Sequence, residues 1–409
     1  MTTSAPSSGT PTSTASPGPS SPRRRRVRRV LVRLVVVLLV LALVAVGGIA
    51  WYFSGLALDT TRVRERPHAV TAATSGSVTV LGDRYVALPG RYGLDGEGGY
   101  GTLGPVESAS PAAEGRTSAV RRYTPVRGVP AAGTKADVDA YAYRGNPNSA
   151  LGLEFENAVV QGELGAMPAW YVPAGPATGT WVVFVHGRGG TREEGLRYLR
   201  TWHGLGLPVL MPTYRNDVGA PAARDGHDHL GDTEWRDVDS AVRYALGRGA
   251  RDVVLAGWSM GGAVSLQAAD RSEVRDRIRG LLLESPVLDW RDVFVHQGAD
   301  RGLPEPLTRV AIWTVGRRIG ADLDRFDWVR RAGDLRRPVL VLHSDADTYV
   351  PDGPAKRVAA ARPDLVTLHL TPGAEHTRGW NVDPEGFDAA MRSWLARVGA
   401  LPAPVPQTS

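Results

Sequence analysis

The chain has 409 residues, with 48 Lys and Arg against 42 Asp and Glu, and no cysteine. Lack of cysteine excludes a disulfide framework, a thiol nucleophile, thiolate-held zinc and a lipidated cysteine. The formal charge of +6 is local, because Arg23, Arg24, Arg25, Arg26, Arg28, Arg29 and Arg33 alone supply +7; the rest is close to neutral, which argues against a nucleic-acid-binding face.

Residues 1–33 begin Ser/Thr/Pro-rich, end in the arginine cluster and are expected to form a disordered basic tail. Residues 34–58 then run for 25 positions without a formal charge. About 20 helical residues cross the hydrocarbon layer, so this segment reads as a transmembrane helix with Trp51 and Tyr52 at its far interface. More arginines precede it than follow (Arg62, Arg64, Arg66), which places the N-terminus in the cytoplasm and the remainder outside the cell membrane. The competing readings are a cleaved signal peptide, whose apolar region is usually shorter and ends at a small-residue site, and a core helix, which four consecutive arginines disfavour.

Residues 59–165 show short strand-like runs (78–80, 85–87, 120–123) between Gly- and Pro-rich turns, and a strand–turn–strand pattern over 137–155 about Asn146-Pro147-Asn148. They read as a β-rich extension that precedes or joins the main sheet. From 166 to 400 apolar strands (169–172, 181–185, 208–211, 253–256, 280–283, 339–342, 366–370) alternate with helical patterns, among them 191–205 and 232–246. That rhythm predicts an α/β fold, a mostly parallel sheet flanked by helices. Residues 289–335 break it with Trp290, Phe294, Trp313, Phe326 and Trp328, and are expected to form a small helical lid over the ligand-binding edge. Residues 401–409 are expected to be a disordered tail.

The chemistry concentrates at strand ends. Gly257-Trp258-Ser259-Met260-Gly261 fits G-x-S-x-G between a strand and a helix, a turn that holds a serine hydroxyl clear of the sheet. Asp345 and Asp347 follow the strand at 339–342, and His376 follows the one at 366–370. His376 is placed to take the Ser259 proton, and Asp347 to fix its tautomer, with Asp345 as the rival acid. Oxyanion binding falls to the Met260 N–H and to the Arg188 N–H in His186-Gly187-Arg188-Gly189-Gly190, a loop just past the strand at 181–185. The Arg188 guanidinium is read as a partner for an anionic substrate group, as solvated, or as paired with a nearby carboxylate such as Glu193 or Glu194. His227-Asp228-His229 reads as a rim loop, since two alternating histidines make no metal site. No phosphate or dinucleotide fingerprint occurs, and a serine triad needs no cofactor.

VVFVHGRGG, GWSMGG, LVLHSDADTYVP and AEH, in this order, resemble the α/β-hydrolase superfamily, particularly its esterase, lipase and peptidase-like members with a helical insertion before the acid. The resemblance covers about residues 167–400 and implies Ser259 as nucleophile, His376 as base, Asp347 as acid, Met260 and Arg188 as oxyanion amides, and Gly257 and Gly261 as supports of the turn. Ser344 stands where a glycine is common. The expected activity is hydrolysis of a small-molecule or lipid-like ester, or of a thioester or amide, through an acyl-enzyme. The alternatives are a prolyl-peptidase-like enzyme and a membrane-tethered, non-enzymatic binding or scaffold protein on the same fold.

Overall fold

The computed structural model describes Thr2 and residues 22–61, 65–175 and 179–401. The expected disordered stretches therefore lie outside the described residues over most of 1–21 and over 402–409. Helix α1 (Pro22–Leu58) starts earlier than expected, so the arginines from 26 to 33, assigned to a disordered tail, are helical. Proline suits the first helical position, where its missing N–H has no partner to lose, and arginine and leucine are good helix formers. Residues 26–45 are all exposed. Beyond them Val46, Ile49, Ala50, Phe53, Ser54, Ala57 and Leu58 are partly or fully buried, at the three- and four-residue spacing of one helix face. By length and composition α1 suffices to cross a membrane.

A closed barrel follows, built from β1 (His68–Ala73), β2 (Ser77–Gly82), β3 (Tyr92–Gly96), β4 (Gly99–Pro111), β5 (Thr117–Arg127) and β6 (Lys135–Asp139) in the order β1-β2-β5-β4-β3-β6. Antiparallel pairing of β1 with β6 removes both sheet edges. Val70, Val78, Val80, Leu94, Leu103 and Val138 fill the interior. Arg121 is buried beside them and donates to the carbonyls of Val86, Leu88, Gly90 and Gly104, with burial lowering its pKa to about 10.

Two segments differ locally from expectation. Residues 85–87 lie in a 3-10 turn (Arg84–Ala87) capped by Asp83, not in a strand. The pattern over 137–155 is not a hairpin: after β6, Asn146 caps a short helix α2 (Pro147–Leu151), with Ser149 returning the capping bond and Pro147 at the start.

The main sheet has eight strands: β7 (Glu156–Gln161), β8 (Ala166–Val172), β9 (Thr180–Val185), β10 (Val209–Pro212), β11 (Asp252–Trp258), β12 (Ile278–Glu284), β13 (Val339–Ser344) and β14 (Val366–Thr371). Their order is β14-β13-β12-β11-β9-β10-β8-β7. β9 to β14 pair in parallel, whereas β8 is antiparallel to both β10 and β7. Because β7 belongs to this sheet, the extension gives way to the main domain before residue 165.

The remaining helices are α3 (Leu196–Gly204), α4 (Trp235–Gly247), α5 (Met260–Arg271), α6 (Trp290–Asp300), α7 (Glu305–Ile319), α8 (Gly353–Ala361), α9 (Gly379–Val382) and α10 (Pro384–Arg397). Alternate strand residues feed two cores. Val253 and Leu255 of β11 meet Val242 of α4 and Val264 of α5 on one face. Val254, Ala256 and Trp258 meet Trp202 of α3 and Trp394 of α10 on the other. Covering both faces explains why these strands read as unbroken apolar runs. Leu58 and the α7 residues Ile312 and Val315 belong to the first core, so the end of α1 is part of the domain.

Candidate active site

β11 delivers Ser259 to the turn before α5, where the residue has φ 53° and ψ −119°. A non-glycine residue held there costs roughly 1–3 kcal/mol. The strain is held by the Ser259 N–H donating to the Glu284 carbonyl at 2.9 Å and by the Ser259 carbonyl accepting from Gly262 at 3.0 Å and Val287 at 3.2 Å. The flanking glycines answer to close packing. A Cβ on Gly261 would fall on the Val185 and His186 carbonyls, and one on Gly257 on the Gly261 carbonyl. Any side chain there would therefore push α5 off the sheet.

The loops after β13 and β14 bring Asp347 and His376 to the same point. His376 Nε2 lies 2.9 Å from Ser259 Oγ, and His376 Nδ1 lies 2.8 Å from Asp347 Oδ2. Asp347 Oδ1 accepts the Tyr349 and Val350 N–H groups, both at 2.9 Å. Burial alone would raise the Asp347 pKa, but His376 and these hydrogen bonds carry it below the ordinary carboxylate value. Asp345, the rival acid, instead accepts the Gly373 N–H at 2.8 Å and orders the turn after β14. Ser344 does similar work, accepting the Ala346 N–H at 3.1 Å.

The His376 loop is fixed from behind by buried polar groups. Arg197 donates to the Thr377 carbonyl at 2.8 Å and to Asn381 at 2.7 Å. Glu284 accepts the Gly379 N–H at 3.1 Å and the Tyr198 hydroxyl. Burial pushes the Glu284 carboxyl above its ordinary range.

The glycine-rich loop after β9 is equally constrained. Buried His186 has Nε2 2.7 Å from Asp217 and Nδ1 2.9 Å from the Gly187 carbonyl. Burial would lower the His186 pKa, but Asp217 and the carbonyl raise it above the ordinary value. The Gly187 N–H is occupied by Glu194 at 2.8 Å, leaving Arg188 as the next amide of the loop. Gly189 has φ 68°, a left-handed conformation that glycine adopts without a steric cost. Met260 opens α5, so its N–H has no acceptor within the helix.

The Arg188 side chain is paired with a carboxylate, as one reading of it expected, though with neither Glu193 nor Glu194. Its guanidinium donates to Asp228 at 3.1 Å and to the α1-end carbonyls of Leu56 at 3.2 Å and Asp59 at 2.7 Å. Glu193 pairs with Arg144 at 2.7 Å instead. Asp228 also receives its own order from α1, donating its N–H to the Leu58 carbonyl at 3.1 Å. Its neighbour His229 pairs with Asp225 at 3.0 Å, and among the described residues no cluster suited to a metal ion occurs.

Ser259 opens on a cavity whose apolar walls include Trp290 and Phe294 of α6, Ile312 and Val315 of α7, and Phe53, Leu56 and Ala57 of α1, with Arg188, Val287 and Tyr349 also lining it. The 289–335 segment is thus helical where expected, and its helices line the cavity that holds Ser259. Sequence reasoning missed the α1 wall and the Arg188 clamp. The clamp had a faint signal in the acidic HDH loop, and the wall had none.

Residues 182–405 match the model of the alpha/beta hydrolase family, more than half of the chain, and the protein belongs to that family. Its activity class is accordingly that of a hydrolase. Among sequence relatives is an uncharacterised protein of Mycobacterium tuberculosis, found in two strains, 27% identical over 242 residues that make up 57% of this chain and 75% of the relative. Among solved structures, an esterase from Pyrococcus furiosus superposes with TM-score 0.50 at 18% identity, over 62% of this chain and 96% of its own. An α/β serine hydrolase without a lid from Xanthomonas campestris gives 0.43 at 19% identity, over 62% and 97%. At these identities the structural likeness concerns the fold.

Proposed function

We propose that the protein is a serine hydrolase that cleaves carboxylic esters through an acyl-enzyme, with Ser259, His376 and Asp347 as its triad. The observation that carries this reading is the pair of contacts through one imidazole, 2.9 Å to Ser259 Oγ and 2.8 Å to Asp347. His376 Nε2 takes the hydroxyl proton as Oγ bonds to the ester carbonyl carbon. The carbonyl oxygen becomes an oxyanion facing the Met260 and Arg188 amides. Collapse breaks the bond to the alkoxy group, which leaves with the proton from His376. Water, deprotonated by the same imidazole, then releases the acid and restores Ser259. Asp347, ionised and held by two amides, keeps Nδ1 protonated so that Nε2 faces the serine.

The helical segment 289–335 acts as a lid on the acyl pocket in this reading. α1 anchors the enzyme with its arginine-rich end in the cytoplasm and the hydrolase domain outside, and protease shaving of intact cells should remove that domain. Packing of its last turns into the domain supports an anchor over a cleaved signal. A fluorophosphonate should label the wild-type protein and not Ser259→Ala, and ester turnover should fall by about three orders of magnitude or more in that variant. Undiminished turnover in Ser259→Ala would sink the reading.

A further inference from the structure

We infer that the last two turns of α1 are a wall of the acyl-binding site, and that the substrate is an ester whose long acyl chain is drawn from the bilayer along this helix. The inference rests on the serine-hydrolase reading and adds to it where the substrate lies before it reacts.

Phe53, Leu56 and Ala57 line the cavity that contains Ser259, together with Trp290, Phe294 and Ile312. Phe53 and Leu56 are one helical turn apart, so this wall climbs α1 toward its exposed apolar stretch. An apolar chain following it would leave one hydrophobic environment for another without crossing water. The clamp ties the wall to the proposed chemistry: the Arg188 side chain holds the Leu56 and Asp59 carbonyls, and its N–H is the proposed second oxyanion donor.

A second observation sets the level of the bilayer surface. Trp51 and Tyr52 on α1 are 61% and 63% exposed, and Trp313 on α7 is 66% exposed. Arg318 of α7 stacks on the Trp51 ring at 4.2 Å and donates to Ser54 at 3.0 Å; Arg317 lies over Trp313 at 5.9 Å. Exposed tryptophan, tyrosine and arginine side by side suit the membrane–water interface, where amphipathic rings and snorkelling cations settle. α7 therefore rests at that interface with its outer face, while its inner face, Ile312 and Val315, lines the cavity.

The full-length protein in phosphatidylcholine vesicles provides the test, read as the ratio of kcat/KM for 4-nitrophenyl dodecanoate to that for 4-nitrophenyl acetate. Ala57→Trp, which fills the pocket from the α1 side, should lower this ratio at least about tenfold, and the milder Leu56→Trp should lower it in the same direction. A ratio unchanged in both variants, while the wild type turns over both esters, overturns the α1 wall and leaves the hydrolase reading standing. Absence of fluorophosphonate labelling in the wild type overturns the hydrolase reading itself and this inference with it. A fluorogenic diacyl lipid separates the sources of the chain: turnover should require the lipid to be in the protein's own vesicles, and equal turnover from separate vesicles overturns delivery along the bilayer.

Discussion

α1 and the barrel both reach the candidate site from outside the hydrolase sheet, and they touch different parts of it with different chemistry. α1 brings apolar side chains to the cavity, and its end carbonyls are held by Arg188 of the glycine-rich loop after β9. The barrel brings polar contacts to the other two loops. Its Arg84 pairs with Glu375 at 2.9 Å and donates to Thr348 at 3.2 Å, and Glu375 in turn accepts from Thr348 at 2.9 Å. Those two residues are the chain neighbours of His376 and Asp347. Asn381, past the His376 loop, also donates to the carbonyls of Arg91 and Ala140 at 2.6 and 2.9 Å. In the proposed reading one appendage bears on what the site admits, and the other on how the proposed base and acid, His376 and Asp347, are held.

That division gives an order of effects. The largest should come from the loops themselves: Asp347→Asn leaves the geometry in place but no carboxylate on Nδ1, and kcat should fall by about 10² to 10⁴. The same substitution has a pH signature in stability. The folded-state pKa of Asp347 is below its ordinary value, so its ionised form stabilises the fold fully above the unfolded pKa of about 4. That contribution is lost as pH falls through the lowered folded value. Urea unfolding should show the gap between wild type and Asp347→Asn at neutral pH narrowing as the solution is acidified below that range; a gap that widens instead would reverse the sign.

On the barrel side, Arg84→Ala removes a contact whose arginine is 56% exposed. Exposed ion pairs contribute about 0–1 kcal/mol, so kcat should drop by no more than about fivefold, with the dodecanoate-to-acetate ratio unaltered. A change in that ratio would erase the distinction between the two appendages.

Much of the hydrolase sheet was legible because its strands are buried on both faces and stand out as apolar runs, and because Ser259, Asp347 and His376 each follow one of them. The barrel was not. Strand-like runs such as 78–80 and 120–123 showed through, but closure rests on pairing as distant as His68 with Ala136, which no local pattern marks. The docking face of α1 was hidden for the opposite reason. A helix apolar all round carries no pattern to mark which side meets protein. Arg188 could be placed in its loop from the sequence, yet its partners Asp228 and Leu56 lie 40 and 132 residues away and depend on the fold.

The central claim is that Ser259 carries the acyl group between two half-reactions. Rapid mixing of the full-length protein with 4-nitrophenyl acetate, followed by acid quench and peptide mass analysis, should show a burst of nitrophenolate and an acetyl group on the peptide that contains Ser259. Steady turnover with no burst and no acetyl group on that peptide, or with the group on another residue, would contradict the account.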